Sequence, residues 1–205
     1  MEFTNSTSKD SIKMTSIQNR GTGAGGANTT INGRSFEEKT ENETRLLASG
    51  FVKHRTPGFK GKFAYYLEKE ISPTQKIYYV TQTGLKSFIS FKFNKKTFRR
   101  ADEAYIIQNG DTYTLKILEK KNQNTEGSVD TKLLAGQGFI DEYKFLLGEN
   151  IKVDYAFCIS DFLKNDYFAD TLKGKCLRHV TEKQGIPILF GEDSDYYEKL
   201  DAWIN

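Results

Sequence analysis

The chain has 205 residues, of which 28% are charged, 37% hydrophobic and 13% aromatic. This composition is typical of a globular domain and excludes a fibrous or wholly disordered chain. The formal net charge of +3 does not by itself indicate a nucleic-acid partner. No apolar run approaches the roughly 18–20 residues that a membrane span needs. The N-terminus lacks the charged and then apolar layout of an export signal, so a cytoplasmic protein is expected.

The few cysteines and histidines exclude further classes of protein. They are Cys158, Cys176, His54 and His179. These residues are too few or too widely spaced for a disulfide framework, a zinc finger or a thiol-redox pair. The Gly-x-Ser-x-Gly turn of serine hydrolases is also missing. Any catalysis must therefore use carboxylates, lysines or a hard metal ion.

The N-terminal segment differs in composition from the rest of the chain. Residues 1–30 are rich in Ser, Thr, Asn and Gly and contain few large apolar side chains, so a flexible N-terminal arm is expected. Residues 31–205 are expected to form one domain. It should begin with a helix, because Ser35 and Glu38 have the spacing of a capping box, an apolar stripe follows, and Gly50 is a suitable stop.

Aromatic-rich runs follow this helix, at residues 63–67, 77–80 and 87–93, and we interpret them as strands of a β-meander. A further hairpin is predicted from the runs at residues 104–108 and 112–118, which flank Asn109-Gly110-Asp111. The C-terminal part predicts helices at residues 130–147, 166–184 and 194–204, with strands at residues 151–159 and 186–190. This order of elements predicts an α/β fold in which a central mixed β-sheet is flanked by α-helices.

The predicted hairpin brings acidic residues of two strands together at its open end. If Asn109-Gly110 is the loop, Asp102 lies opposite Ile117 and diagonal to Glu119. If Gly110-Asp111 is the loop, Asp102 faces Glu119 directly, at about 5 Å between Cβ atoms. In either register Lys121 shares that face. A three-residue loop would instead put Glu103 there in place of Asp102.

Two neighbouring carboxylates beside a lysine suit a divalent cation. Like charges this close are costly unless a positive charge stands between them. Mg²⁺ binds one or two carboxylates and keeps waters that a substrate phosphate can replace. The trio is therefore typical of phosphodiester hydrolysis, in which the metal activates a water and neutralises charge on the phosphate. A merely solvated, charged strand end is the alternative interpretation.

The order of Asp102, Glu119 and Lys121 and of several neighbouring stretches along the chain resembles that of the PD-(D/E)XK nuclease superfamily, and within it of a type II restriction endonuclease. The Glu-x-Lys element of that superfamily corresponds to Glu119-x-Lys121. The resemblance covers about residues 21–160 and rests on these stretches: Gly25-Gly26-Ala27-Asn28, Asn32-Gly33-Arg34-Ser35-Phe36-Glu37, Arg100-Ala101-Asp102-Glu103-Ala104-Tyr105, Lys116-Ile117-Leu118-Glu119-Lys120-Lys121-Asn122-Gln123 and Glu126-Gly127-Ser128. The sequence departs from the superfamily at Ala101, where a proline usually precedes the aspartate.

The resemblance implies a role for each matched position. Asp102 and Glu119 would bind Mg²⁺, and Lys121 would orient or help to deprotonate the attacking water. Glu37 would be the acidic residue near the metal on the first helix, with Glu38 and Glu41 as near alternatives. Gln123 would extend the element to Glu-x-Lys-x-Gln.

The same resemblance implies double-stranded DNA as the substrate, a restriction system as the context, and a possible homodimer on palindromic sites. Phosphate contacts are expected from a basic cluster and from the turn before the next helix: Lys92, Lys95, Lys96, Arg99, Arg100 and Ser128. A second basic cluster comprises Lys53, His54, Arg55, Lys60 and Lys62. A structure-selective or repair nuclease and a non-catalytic nucleic-acid-binding module remain the alternatives.

Overall fold

The computed structural model describes residues 36–123 and 129–205, so the predicted N-terminal arm, Ser35 and Ser128 lie outside the described residues. Within that part, seven strands form one mixed sheet, accompanied by seven helices. The elements are α1 (Glu43–Ala48), β1 (Val52–Arg55), β2 (Tyr65–Ser72), β3 (Gln75–Thr81), α2 (Gln82–Phe93), β4 (Glu103–Asn109), β5 (Thr112–Lys121), α3 (Val129–Leu133), α4 (Gly136–Leu147), β6 (Ile151–Ile159), α5 (Asp161–Phe168), α6 (Leu172–Gln184), β7 (Ile188–Phe190) and α7 (Tyr196–Ile204).

The strands lie in the sheet in the same order as in the sequence, from β1 to β7. Strands β1 to β5 pair antiparallel, whereas β6 runs parallel to β5 and β7 parallel to β6. Both parallel connections contain helices, as parallel pairing requires. The predicted α/β fold with a central mixed sheet and flanking helices is confirmed at this level.

Each face of the sheet has its own hydrophobic core. One core, which we call the α2 face, joins the sheet to α2 through α6 and includes Phe88, Tyr143 and Leu177. The other, the α7 face, joins it to α1 and α7 and includes Leu46 and Leu200. Because side chains alternate along a strand, adjacent residues of β5 enter different cores, and this alternation determines which side of the sheet each charged residue occupies.

The prediction of a strand at residues 87–93 is wrong, because this run belongs to helix α2. Its alternation suited a half-buried strand, but Leu85, Phe88 and Ile89 also have helical spacing, and all three are fully buried. Helix α2 packs against β2 and β3. Short apolar runs fit both periods, and here burial against the sheet selects the helix. The meander is instead formed by β1, which was not predicted, together with β2 and β3.

Predicted helices are also interrupted. The first predicted helix is instead a helical turn at residues 36–39 followed by α1. It is interrupted because the Glu41 carboxylate accepts a hydrogen bond from the Thr44 amide at 3.3 Å, which favours the start of a new helix there. The predicted helix 166–184 is divided into α5 and α6, where the Thr171 hydroxyl caps α6 by accepting from the Gly174 amide at 3.1 Å. The predicted helix 130–147 is likewise divided into α3 and α4. At the first two breaks a polar side chain binds the amides of the new helix, which interrupts an apolar periodicity without changing it. Helix α4 instead follows Ala135 and has no side-chain cap.

Candidate active site

The β4–β5 hairpin has the second of the two registers considered above. Asn109 pairs with Thr112 and Glu103 with Leu118, so Gly110-Asp111 is the loop. Gly110 has a φ of +59° and Asp111 does not have a positive φ, which excludes a type I′ turn and suits glycine at the first central position of a type II′ turn. Extending the register by one residue places Asp102, just before β4, opposite Glu119.

Asp102, Glu119 and Lys121 are connected by direct hydrogen bonds. The Lys120 amide donates to Asp102 Oδ2 at 2.8 Å, and in return the Asp102 amide donates to the Glu119 carboxylate. Lys121 Nζ lies 2.6 Å from Glu119 Oε1, with side chains only 16% and 20% exposed. The predicted trio is therefore brought together at the open end of the hairpin, on the α2 face.

The charge distribution around Glu119 is unfavourable for a carboxylate. Burial raises the pKa of Glu119 and the charge of Asp102 raises it further, while Lys121 lowers it. Glu119 also adds to the raised pKa of two buried tyrosines beneath it, Tyr143 and Tyr155, although burial is the larger cause. A bound cation would relieve the unfavourable environment of the Glu119 carboxylate.

The backbone before Asp102 is fixed by α2. Ala101 is 1% exposed, and its carbonyl accepts a hydrogen bond from the Gln82 amide at 3.0 Å. Gln82 has a φ of +32°, which is uncommon for a residue other than glycine. Ala101 thus has a buried, hydrogen-bonded backbone position, and the start of α2 contributes to the rigidity of the open end of the hairpin.

A cavity of about 430 Å³ opens next to Asp102 and is strongly acidic. Its lining includes Glu37, predicted for this site, as well as Glu41 and Glu43. Glu41 accepts a hydrogen bond from the Thr44 amide at the start of α1, and the exposed Glu37 lines the same cavity as Asp102. Glu38 is not part of the lining. Glu119 and Lys121 also lie outside the lining.

Gln123 lies two residues beyond β5 and is 8% exposed. Its amide donates to Ser160 Oγ at 3.3 Å, and that hydroxyl donates to the Gln123 carbonyl at 3.2 Å. These bonds join the end of β5 to the residue that follows β6. Gln123 is therefore a buried residue, two positions beyond Lys121, whose main chain is bound to Ser160.

The first predicted basic cluster is dispersed. Lys92 lies at the far end of α2, over the rings of Tyr78 and Tyr113. Arg99 forms an ion pair with Glu142, at 2.7 Å from Nε to Oε1. Lys95 and Lys96 are exposed. Of this cluster, Arg100 is the residue that lines the acidic cavity.

The second basic cluster lies on β1 and the loop that follows it. Lys53 forms an ion pair with Glu43, at 2.7 Å from Nζ to Oε1, and the ring of His54 stacks on that of Tyr66. Lys62 lies 5.5 Å from the ring centre of Phe63. Phe63 is 57% exposed and lines the acidic cavity, so an aromatic side chain projects beside the candidate site.

A second acid–lysine pair, on the α7 face, lines the same acidic cavity as Asp102. Lys120 Nζ lies 2.6 Å from Glu103 Oε1, and the two side chains are 4% and 3% exposed. The sequence interpretation put Glu103 on the opposite face from Asp102, which is confirmed, but it gave Lys120 no partner. The alternation of β5 was the available signal, since it assigns Lys120 to the face of Glu103.

The donor set at the candidate site fits a hard cation that keeps several waters. No group of three or more His, Cys, Asp or Glu side chains suited to a metal occurs in the described ranges. Asp102 and Glu119 supply two carboxylates, which is the number that Mg²⁺ commonly takes from a protein when substrate oxygens and waters complete its shell.

Comparisons with protein families, with curated proteins and with solved structures find no significant match to this chain. Separately, no helix in the described ranges is long and apolar enough to cross a membrane.

Proposed function

We propose that this protein is a Mg²⁺-dependent endonuclease that hydrolyses phosphodiester bonds of double-stranded DNA at a specific sequence. The proposed class is a type II restriction enzyme with the core of the PD-(D/E)XK superfamily. Support comes first from the contacts at the open end of the β4–β5 hairpin. There, the Asp102 carboxylate accepts a hydrogen bond from the Lys120 amide, the Glu119 carboxylate accepts one from the Asp102 amide, and Lys121 pairs with Glu119 at 2.6 Å.

The chemistry follows from the groups that this arrangement brings together. Asp102 and Glu119 would hold Mg²⁺, which lowers the pKa of a bound water and neutralises charge on phosphate oxygens. The Lys121 ammonium would orient the attacking water and help to remove its proton. Glu37 would be the acidic residue near the metal site, on the lining of the cavity that it shares with Asp102. Gln123, through its bonds with Ser160, would keep the end of β5 in place.

DNA contacts would surround the acidic cavity. Arg100 lines it and Lys95 and Lys96 are exposed nearby along the chain, so these side chains are suited to phosphate oxygens. Arg99 and Lys92 are less suited, because Arg99 is paired with Glu142 and Lys92 lies at the far end of α2. A palindromic target would be cut by a two-fold symmetric homodimer.

The experiment is cleavage of plasmid and phage DNA with Mg²⁺, followed by sequencing of the fragment ends. Discrete bands with one common end sequence support the proposal. Lys121→Met should retain DNA binding in a gel-shift assay and lose cleavage. Lys152→Met is the matched control, because Lys152 also lies two residues from an acidic partner on a strand, 3.0 Å from Asp154, but at the other end of the sheet.

Two results would overturn the proposal. If the protein cuts branched or damaged DNA and leaves plasmids intact, it is a structure-selective or repair nuclease. If it binds DNA and no substrate is cut with Mg²⁺ or Mn²⁺, it is a binding module. Equal cleavage by Lys121→Met and by the wild type would remove Lys121 from the mechanism.

A further inference from the structure

The buried pair Glu103–Lys120 alternates along the strands with the residues of the proposed site. Glu103 directly follows Asp102, and Lys120 lies between Glu119 and Lys121. The pair therefore occupies the α7 face, while its neighbours occupy the α2 face. Any displacement of these backbones changes both faces at once.

Both members of the pair bind the segment that follows Glu37. Lys120 Nζ donates to the Thr40 carbonyl at 2.7 Å. Asn42 Nδ2 donates to Glu103 Oε2, also at 2.7 Å. Residues 40–42 are thus bound to β4 and β5 by two charge-assisted hydrogen bonds, which are the stronger kind.

That segment in turn fixes the helical turn that carries Glu37. The Thr40 amide and the Thr40 hydroxyl both donate to the Phe36 carbonyl, at 3.1 and 2.8 Å. Phe36 is 3% exposed and packs in the α7-face core. Glu37 lies between these fixed points and lines the same cavity as Asp102.

A buried ion pair is a poor means of increasing stability, because removing two charges from water offsets most of their attraction. Apolar side chains would suit the α7-face core at these positions at least as well. The charges instead supply something that apolar side chains cannot, namely directed hydrogen bonds to the Thr40 carbonyl and the Asn42 amide.

We propose that Glu103 and Lys120 are positioning residues, which hold the segment of Glu37 so that its carboxylate faces Asp102 at the metal site. The inference rests on the proposed nuclease function. It assigns the lysine inside the Glu-x-Lys element, which together with Glu103 lines the same cavity as Glu37, a role through Glu37.

The test is a double-mutant cycle. Glu103→Met/Lys120→Met removes both anchoring charges without leaving either one buried and unpaired. In an otherwise wild-type chain it should lower kcat about 10- to 100-fold with little change in KM, because small misplacements of a reacting group have effects of this size. In a Glu37→Gln background the same double change should have less than about a twofold effect. Lys152→Met/Asp154→Met, at an exposed pair, is the control and should change neither rate.

A second readout is independent of cleavage. Amide hydrogen exchange at residues 36–42 should become faster in Glu103→Met/Lys120→Met, while β4 and β5 remain protected. Unchanged exchange at residues 36–42 overturns the inference, as do equal kcat losses in both backgrounds or no loss in the wild-type background. Cleavage by the wild type that is lost in Lys121→Met supports the proposed function whatever the cycle shows, whereas a wild type that cuts no DNA overturns both.

Discussion

Replacing Lys120 by methionine alone should destabilise the protein far more than replacing Lys120 and Glu103 together. The single change leaves the Glu103 carboxylate, with a side chain 3% exposed, without its cation at 2.6 Å. The neutral donors that remain are Asn42 Nδ2 at 2.7 Å and the Tyr105 hydroxyl at 3.4 Å. A buried charge with no counter-charge is one of the costliest defects in a folded chain.

The size of the loss can be estimated from this burial. Removing one partner of a buried ion pair costs about 3–5 kcal/mol, while replacing both by apolar side chains of similar volume is often neutral or stabilising. For a chain of this length each kcal/mol lowers Tm by roughly 2–4 °C, so Lys120→Met should lower Tm by roughly 6–20 °C.

Thermal unfolding followed by circular dichroism, and urea unfolding at 25 °C, measure these differences. Lys39→Met is a matched control, since Lys39 pairs with Glu192 at 3.0 Å but is 60% exposed, and exposed pairs contribute about 0–1 kcal/mol. A loss below about 1 kcal/mol in Lys120→Met, or an equal loss in the single and double variants, would refute the reasoning.

Three further outcomes are expected. Burial and the charge of Asp102 raise the pKa of Glu119 in the folded protein, so ionised Glu119 destabilises the fold as the pH rises. With a chelator present, Glu119→Gln should therefore raise Tm at pH 7. The difference in Tm from the wild type should vanish near pH about 4, where the carboxyl group is protonated in both states. Phe63→Ala should weaken DNA binding roughly 5- to 150-fold in fluorescence anisotropy if the ring of Phe63 stacks on a base. Phe145 is 88% exposed but lies beside the hairpin turn, so Phe145→Ala should leave DNA binding unchanged. Gly84→Ala should lower the free energy of unfolding, measured in urea, by about 1–3 kcal/mol, because the added Cβ would lie 2.7 Å from a carbonyl oxygen of β2. Gly138→Ala is the control. Its added Cβ would have no described atom within 4 Å, so this change should raise the free energy of unfolding.

The hairpin illustrates how far local patterns lead. Alternation over residues 104–118 and a glycine between the two runs were sufficient to predict β4 and β5 and to put Asp102, Glu119 and Lys121 on one face. The choice between two loop registers stayed open, because Asn109-Gly110 and Gly110-Asp111 are both suitable turns. The pairing of β4 with β3 and of β5 with β6 fixes the register, and those pairings lie outside the hairpin.

Helix α2 illustrates the opposite case. Residues 87–93 satisfy the strand period and the helix period alike, so periodicity could not decide between them. The sheet decides, since Leu85, Phe88 and Ile89 cover one of its faces and are fully buried. The dispersal of the basic cluster has a similar origin, because α2 carries Lys92 away from Arg100.

The sequence by itself determined which residues carry charge, where the strands of the central hairpin lie and that their acidic ends converge, because these features depend on neighbours within about twenty residues. Tertiary structure alone decided that Glu37 and Asp102 line one cavity and that Lys120 reaches the Thr40 carbonyl. Lys120 and Thr40 are 80 residues apart in the chain, and only the packing of both faces of the sheet brings such segments together.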